Sequence, residues 1–372
     1  MSLFKIKYLS VFHPYRGGIA QFNDLLVKEL DKYFEIEKIN FKNQYPKILF
    51  PGKSQLVDEF DKIEHASFIP YSPKAIIKST KDINSSNFDF FITAYWMPFF
   101  SPSLGYVAKK IPSKVIKVAV LHNVIPHEPK FWDKYLNKYF LNNYDAFITL
   151  SETVSKQLLS LKPNAKYIQL YHPIYNQFGE ELDKHESKQK LNLPLDKPII
   201  LFFGFIRKYK GLAMLLQSFA KIQDKAHLVI AGESYEDFSV YENIIMDNFI
   251  KAQNYTRLDG FISDENVQII FSSADFLVLP YITATQSGIS AIAHHFNLPI
   301  LVNPVGELPN EIIHDFNGWT CENIHEKSLT EGLMMMLNKY KYFRENMQKN
   351  HKDKSWNDFG KKVHDFLIEL KQ

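Results

Sequence analysis

The chain has 372 residues, 45% of them hydrophobic, and a single cysteine. This composition suits two compact domains with ample cores, argues against disorder, and excludes both a disulfide framework and a cysteine-rich metal site. Residues 1–178 hold 23 Lys and Arg against 15 Asp and Glu, a formal charge of +8, whereas the remainder holds 21 against 26, a charge of −5, so we expect two domains with different partners.

A glycine pair follows the first predicted strand. The hydrophobic run Phe4–Phe12 predicts a strand, which leads through HPYRGG into a predicted helix. Gly17 and Gly18 let the backbone approach a ligand closely, or they only supply a turn that needs positive φ. Arg16 is the charged residue of the same turn.

Short apolar runs then alternate with helical or loop stretches, the pattern of an α/β fold with parallel sheets. The predicted strands are residues 88–93, 115–121, 146–150 and 167–170. The start of the chain has too short an apolar run for a secretory signal, and no stretch reaches the roughly 20 residues that cross a bilayer. We therefore expect a cytoplasmic protein, soluble or peripheral to a membrane.

Two candidate sites lie near the ends of these strands. Tyr95 and Trp96 carry rings that could stack on a ligand, with core packing as the ordinary alternative. His122 follows the strand 115–121, where a histidine is either a hydrogen-bonded structural residue or a group that takes part in chemistry.

The segment Tyr175–Lys197 is polar and precedes a new strand, so we place a domain junction there. The predicted domains are residues 1–178 and 179–350. Residues 351–372 form a final predicted helix whose apolar face contains Trp356, Phe359, Val363, Phe366 and Leu367.

The most informative stretch is Leu201–Leu216, LFFGFIRKYKGLAMLL. The strand ends at Gly204, which permits a tight turn, and a helix predicted from Gly211 offers unpaired backbone N–H groups and a positive dipole end. Arg207 can fork onto two phosphate oxygens, and Lys210 acts as a movable point charge. The stretch predicts a diphosphate pocket; the alternative is an ordinary strand-to-helix connection with solvated charges.

A second such turn follows the buried-strand pattern Asp275–Pro280 and carries hydroxyls and a glycine without charge. Thr285, Ser287 and the amides of Gly288 and Ile289 either cradle a phosphate or cap the next helix. Phosphate contact is favoured because parallel sheets carry their ligand sites at the carboxyl ends of the strands.

Together these elements resemble glycosyltransferase family 4, the retaining, nucleotide-sugar-dependent enzymes of the GT-B fold. The resemblance covers nearly the whole chain. Its motifs are, in order, HPYRGGIAQF, HNVIPHE, LSETV, FFGFIRKYKGL, VIAGE, GFISDENVQIIFSSADFLVLPY, ATQSGI and NPVGELPNEII. The form ATQSGI resembles a branch found among bacterial surface-polysaccharide enzymes.

The resemblance implies an α/β GT-B fold: two Rossmann-like domains facing across a cleft, with the acceptor mainly on the amino-terminal side and the nucleotide mainly on the carboxyl-terminal side. The final helix is expected to cross back to the first domain. In the family, Arg207 and Lys210 match the basic pair on the leaving diphosphate, and His122 matches a histidine near the reacting sugar. The family arginine more often directly follows the glycine, where this chain has Phe205.

The predicted catalytic residues are Arg207, Lys210 and His122. The predicted donor-binding residues are Gly17, Gly18, Gly204, Phe261, Thr285, Ser287, Gly288, Ile289 and Glu307. The predicted acceptor-binding residues are Arg16, Tyr95 and Trp96. We predict no cofactor and no metal, because stabilising the leaving diphosphate with cations and helix amides requires none and the chain lacks an Asp-x-Asp motif.

One departure from the family concerns a glutamate pair, separated by seven residues, that normally occupies the turn and helix Ala284–His295. No acidic residue occurs there. Glu307 and Glu311, in the next turn, are possible substitutes.

The leading hypothesis is a retaining transferase that moves a hexose-type sugar from a nucleoside diphosphate to a saccharide or lipid-linked saccharide of a surface glycan. The alternatives are a non-catalytic GT-B partner of another transferase and, last, a nucleotide-sugar epimerase.

The charge of +8 in the first 178 residues also favours contact with anionic lipid at the inner face of the cell membrane. Solubility alone would also explain this charge. Nucleic-acid binding is not expected, since no reader motif accompanies the charge.

Overall fold

The computed structural model describes residues 3–46, 54–57, 63, 66–126, 130–173, 177–284, 287–349 and 355–372. They form two compact units. One contains the described residues of Met1–Pro173 and Lys354–Gln372, and the other those of Ile174–Asp353. The prediction placed the junction after residue 178, whereas the described residues Gln177 and Phe178 already belong to the second unit. Gly179 and Glu180 belong to the second unit because their carbonyls accept hydrogen bonds from the side chains of His295 and Gln268.

The first unit is built on a parallel sheet with the order β3-β2-β1-β4-β5-β6-β7. Its strands are β1 Lys5–Ser10, β2 Glu35–Phe41, β3 Ala66–Phe68, β4 Phe90–Tyr95, β5 Ile116–Leu121, β6 Ala146–Thr149 and β7 Lys166–Gln169. Its first five helices are α1 Gly18–Leu30, α2 Pro73–Ile83, α3 Ser101–Lys110, α4 Asp133–Asn142 and α5 Glu152–Leu161.

The second unit contains a parallel sheet with the order β10-β9-β8-β11-β12-β13. Its strands are β8 Ile199–Phe203, β9 His227–Gly232, β10 Tyr255–Asp259, β11 Phe276–Leu279, β12 Ile300–Val302 and β13 Gly318–Thr320. Its helices are α6 Lys184–Lys190, α7 Leu212–Ala220, α8 Ser239–Asp247, α9 Asp264–Ser273, α10 Gly288–His295 and α11 Glu326–Lys349.

Central strands in both sheets are apolar on both faces. Every residue of β4 and β8 is buried, as expected where helices cover a parallel sheet on two sides. Local signals set several helix starts: Ser72 caps α2 and Ser151 caps α5 by accepting a backbone N–H. The predicted α/β alternation is confirmed, and both sheets place β1 and β8 beside a change of strand order, where parallel sheets form ligand crevices.

The final helix, α12 Trp356–Lys371, packs against α1 within the first unit. The side chain of Ser355 caps its start. Gly360 allows the close approach, since a Cβ there would lie 2.6 Å from the Cβ of Glu29. Its predicted apolar face is buried, which confirms that part of the prediction: the residues are Trp356, Phe359, Val363, Phe366 and Leu367.

Among the described residues, none of the helices combines the length and the apolar character that crossing a bilayer requires.

Candidate active site

The turn after β8 is packed around Lys210. Gly204 has φ 98°, and its N–H donates to the carbonyl of Ala231, 2.9 Å away. A Cβ on Gly204 would lie 2.9 Å from both the Nζ of Lys210 and the Cδ1 of Ile289. The end of β8, the following turn and the start of α10 therefore meet at this glycine.

The turn continues as a short 3-10 segment, Lys208–Lys210, and the α-helix begins at Leu212 rather than at the predicted Gly211. Gly211 adopts the left-handed conformation with φ 75°, and a Cβ there would lie 1.9 Å from the carbonyl oxygen of Pro280. A side chain would force apart the loops that follow β8 and β11, so only glycine fits.

Lys210 is a buried cation. Its side chain is 7% exposed, and within the part of the chain that the structure describes its Nζ forms no hydrogen bond or ion pair. The Nζ lies 5.6 Å from the ring centre of Tyr281. Burial, followed by repulsion from Arg207, lowers the pKa of Lys210 from 10.5 to about 7. A buried ammonium without a counter-charge is costly, and an anionic ligand would offset that cost.

Arg207 is exposed and held by aromatic rings. Its guanidinium carbon lies 4.9 Å from the ring centre of Tyr235, which stacks on Phe205 with centroids 4.5 Å apart. Phe205 stands where the family more often has arginine, and in this chain it supports the arginine two positions later through Tyr235. The two cations lie near enough for Arg207 to influence the pKa of Lys210.

The start of α10 lies beside this turn. Ser287 caps the helix by accepting the N–H of Ile289 at 3.3 Å, and its hydroxyl lies 3.2 Å from the hydroxyl of Tyr281. The capping alternative thus describes Ser287 in this structure, and phosphate contact by Ser287, Gly288 and Ile289 stays a prediction. Thr285 lies outside the described residues.

Glu307 and Phe261 lie on other loops of the same unit. Glu307 follows β12 and accepts a hydrogen bond from the side chain of Asn310 at 2.8 Å. Phe261 is half-buried in the loop after β10, next to Gly260. Their donor-binding roles stay predictions.

Sequence reasoning missed two residues at the carboxyl ends of β11 and β12. Tyr281 lies beside Lys210, and burial raises the pKa of its hydroxyl. Asn303 is fully buried and donates to the Tyr281 carbonyl at 3.1 Å, while its Oδ1 has no hydrogen-bond partner among the described residues. Their position directly after predicted buried strands was the available signal.

The glycine turn of the first unit is open rather than packed. Gly17 has φ 98°, and no described atom lies within 4 Å of the position a Cβ would take. Gly18 begins α1. The Nε of Arg16 donates to the carbonyl of Leu56 at 2.6 Å, so this arginine braces a neighbouring segment. Its acceptor role stays a prediction.

His122 lies at the end of β5 and is 4% exposed. The backbone N–H of His122 donates to the carbonyl of Tyr95. The ring of Phe22 contacts the imidazole edge-on, with ring centroids 4.8 Å apart. Burial, with a smaller contribution from His172, lowers the pKa of His122 to about 3. The imidazole is therefore neutral at physiological pH.

Tyr95 is a core residue. It is fully buried, its ring stacks on Phe140 with centroids 4.0 Å apart, and its hydroxyl bonds Ser101 and Asn137. The prediction that its ring contacts an acceptor is wrong, because no ring surface is accessible. Trp96 is half-buried and donates to the hydroxyl of Tyr45 at 3.0 Å, so its acceptor role stays a prediction.

No three His, Cys, Asp or Glu residues of the described ranges are grouped so that they could hold a metal ion. Metal independence stays a prediction, since it concerns the reaction.

The chain is similar to known glycosyltransferases. Residues 183–354 match the family described as Glycosyl transferases group 1. An uncharacterized glycosyltransferase of Methanocaldococcus jannaschii is 22% identical over 348 residues, which span 91% of this chain and 90% of that protein.

Solved structures match over the full length. Sucrose-phosphate synthase from Thermosynechococcus elongatus has a TM-score of 0.74 at 15% identity, covering 98% of this chain and 99% of that chain. Anabaena HepE in complex with UDP has a TM-score of 0.75 at 12% identity, covering 99% and 100%. The chain thus has the GT-B fold, and its residues 183–354 are similar to the glycosyltransferase group 1 domain.

Proposed function

We propose that this protein is a metal-independent, retaining glycosyltransferase that moves a sugar from a nucleoside diphosphate to a saccharide or lipid-linked saccharide in surface glycan synthesis. We place it in the cytoplasm and assign the nucleotide to the second unit. The observation that carries the proposal is Lys210, a buried ammonium with no counter-charge among the described residues, set against the glycine turn after β8.

A nucleoside diphosphate supplies the charge that this turn lacks. As the bond to the sugar breaks, negative charge grows on the diphosphate, and a cation already in place stabilises the transition state more than the ground state. Lys210 would meet the diphosphate inside the turn and take up a proton as it binds. Arg207, held against the ring of Tyr235, would meet the diphosphate from the exposed side.

Retention of configuration needs no side-chain nucleophile in this proposal. The acceptor hydroxyl attacks the face from which the diphosphate leaves, and a phosphate oxygen takes the proton. We keep for His122 the role of a neutral hydrogen-bonding group toward the transferred sugar, since its low pKa excludes an imidazolium at neutral pH.

The absent glutamate pair is the main departure from the family. We propose that Glu307 takes over contact with the donor, because it is half-buried in the loop after β12 and carries the missing carboxylate. A non-catalytic partner role is not favoured, since the full-length relative is named as a glycosyltransferase. Epimerase activity has no observation in its favour.

The first test is nucleotide binding. Purified protein is melted with UDP, GDP, ADP and CMP, beginning with UDP because the HepE structure contains it, each with and without EDTA. A ligand that binds the folded state raises Tm. We expect one nucleoside diphosphate to raise Tm regardless of EDTA. Lys210→Met should strongly reduce the rise, and Lys208→Met, which replaces an exposed lysine of the same turn, should keep it.

The second test uses the donor identified in this way. Slow release of free sugar from the nucleotide sugar, at a rate that depends on Lys210, supports a transferase. Tight nucleotide binding without any release would support the non-catalytic alternative, and an epimerised donor would support the third hypothesis. Protein that binds no nucleotide would overturn the assignment of the turn.

A further inference from the structure

Helix α4 presents aromatic side chains to solvent. Phe131, just before the helix, is 82% exposed, Tyr135 is 71% exposed and Trp132 is 45% exposed. The side chains that face the core include polar ones instead, since Asp133 and Asn137 are both buried. Phe140 and Leu141 lie in the core as usual, so the departure from the pattern of apolar residues inside and polar residues outside is confined to the start of the helix.

Hydrogen bonds of the two buried polar residues fix this orientation. The carboxylate of Asp133 accepts the N–H of Lys130 at 2.8 Å. The amide of Asn137 donates to the carbonyl of Val124 at 2.6 Å and accepts the hydroxyl of Tyr95. The Asp133 bond is local to the start of the helix. Rotating the helix to bury the aromatic residues would break the two bonds of Asn137, whose partners lie outside the helix, so the exposure of the aromatic residues is a built feature of the fold.

Lysines are interleaved with these rings. The sequence from Lys130 to Asn142 reads KFWDKYLNKYFLN, and its only acidic residue is the buried Asp133. Lys134 and Lys138 are exposed beside the tyrosines, and the Nζ of Lys130 lies 5.4 Å from a ring centre of Trp132. We call the exposed residues of this segment the aromatic–lysine surface; they are Lys130, Phe131, Trp132, Lys134, Tyr135, Lys138 and Tyr139.

The neighbouring helix extends the basic surface. Tyr139 lies on Gly105 of α3, where a Cβ would come 2.5 Å from the tyrosine ring. Lys109 and Lys110, at the end of α3, are exposed. The two packed helices, α3 and α4, thus both carry exposed lysines.

We propose that the aromatic–lysine surface docks the protein on a bilayer that contains anionic phospholipid. Tryptophan and tyrosine favour the interface between headgroups and acyl chains, and phenylalanine favours the shallow apolar layer beneath it. Each lysine near an anionic surface adds electrostatic attraction. The opposed surfaces of two copies would bring lysines together, so charge complementarity favours lipid over a symmetric dimer.

The position of this surface also bears on the acceptor. The loop that leaves β5 at His122 leads to the start of α4, and the bond from Asn137 to Val124 ties that loop to the helix. Docking would bring the carboxyl end of the first sheet toward the membrane. This step rests on the proposed function and favours a lipid-linked acceptor, whereas docking itself requires neither donor nor acceptor.

The test is sedimentation of the full chain with vesicles of phosphatidylcholine alone and of phosphatidylcholine with about one-third phosphatidylglycerol. We expect binding to the anionic vesicles only, weakened by high salt. Lys134→Glu with Lys138→Glu should weaken the partition coefficient by at least about tenfold. The exposed pair Lys190→Glu with Lys225→Glu changes net charge equally and should have little effect.

The aromatic contribution is tested with Phe131→Ser and Trp132→Ser together. The matched control is Phe249→Ser, since Phe249 is 83% exposed in the second unit. We expect the first variant to lose most vesicle binding and the control to keep it, with unchanged Tm and nucleotide binding in both.

Three results would overturn the proposal. One is wild-type protein that binds neither vesicle type, and another is binding that the charge controls weaken as much as the Lys134 and Lys138 variants do. The third is a concentration-dependent dimer that the Phe131 and Trp132 variant dissociates, without vesicle binding, which would assign the surface to a second copy. None of these results depends on transferase activity.

Discussion

The two sheets contain the same local arrangement at corresponding strands, yet the two glycine turns differ in what surrounds them. In the second unit, a Cβ on Gly204 or Gly211 would collide with Lys210 or Pro280. In the first unit, no described atom lies near the corresponding position of Gly17. Glycine after a strand thus has two uses: one turn needs it for packing around a buried cation, and the other leaves open backbone.

This difference separates what charge does in each turn. Arg16 of the first turn is tied to the carbonyl of Leu56. Lys210 of the second turn is held where its charge lacks compensation among the described residues. An anion would therefore gain most from the second turn, whereas the first offers room and backbone contacts.

The largest effect is expected when the buried cation is removed. Lys210→Met should lower kcat by about a hundredfold to a thousandfold, the usual consequence of losing a group that stabilises transition-state charge. The same change should raise Tm at pH 7, because a desolvated charge is replaced by an apolar side chain. Turnover and melting are measured on one preparation, and unchanged turnover would remove Lys210 from the mechanism.

The glycines test the comparison through stability. Gly211→Ala should lower the free energy of unfolding by about 3 kcal/mol or more, because the new Cβ meets the Pro280 carbonyl and the φ angle is positive. Gly17→Ala should cost about 1 to 3 kcal/mol, since backbone strain at φ 98° and ψ 168° is its only penalty. Urea unfolding measures both variants, and equal losses would refute the distinction between a packed and an open turn.

The sequence predicted the strands, turns and helices of both units better than it predicted the contacts between side chains. The strand-turn-helix segments, the glycines and Lys210 follow from local patterns. The sequence left open whether Tyr95 packs in the core or contacts a ligand, because both faces of a central parallel strand are apolar. It also missed the contact of Arg207 with Tyr235 and that of Lys210 with Tyr281, since these pairs join separate loops.

The sequence did not predict the exposed aromatic side chains at the start of α4, for a related reason. Its sequence contains apolar and polar residues at helical spacing on more than one face, and periodicity alone does not choose between them. The choice follows from partners distant in sequence, above all the hydroxyl of Tyr95 on Asn137. Hydrogen bonds to a neighbouring strand thus decided which face became surface.

The pH dependence of nucleotide binding sharpens the contrast further. With a pKa of about 7, Lys210 is largely neutral in the free protein at pH 9. A diphosphate keeps its charge above pH 7, so binding must then include proton uptake by the lysine. We expect the affinity for the diphosphate to fall by roughly thirtyfold between pH 7 and pH 9. Titration calorimetry should show a flat profile for Lys210→Met; a flat wild-type profile would contradict the lowered pKa.

The smallest effect concerns His122, the buried histidine of the first unit. Its pKa is about 3 in the folded protein against an ordinary 6.5, so the unfolded chain binds more protons between these values. The contribution of His122 to the free energy of unfolding is fully present above pH 6.5 and is lost as the pH falls toward 3. Between pH 7.5 and pH 5.5 the histidine should account for a loss of about 1 kcal/mol.

His122→Asn should reduce that acid sensitivity, whatever its cost at pH 7.5. The quantity to compare is the difference in unfolding free energy between the two pH values, which cancels lost packing against Phe22. His13→Asn is the matched control, because His13 is exposed and lies just before the glycine turn at Gly17 and Gly18 of the same unit. If His122→Asn and wild type lose equal stability on acidification, the imidazole is charged in the folded protein. The first unit would then also hold a cation at the end of its sheet, and the two units would differ less in the charge that they place there.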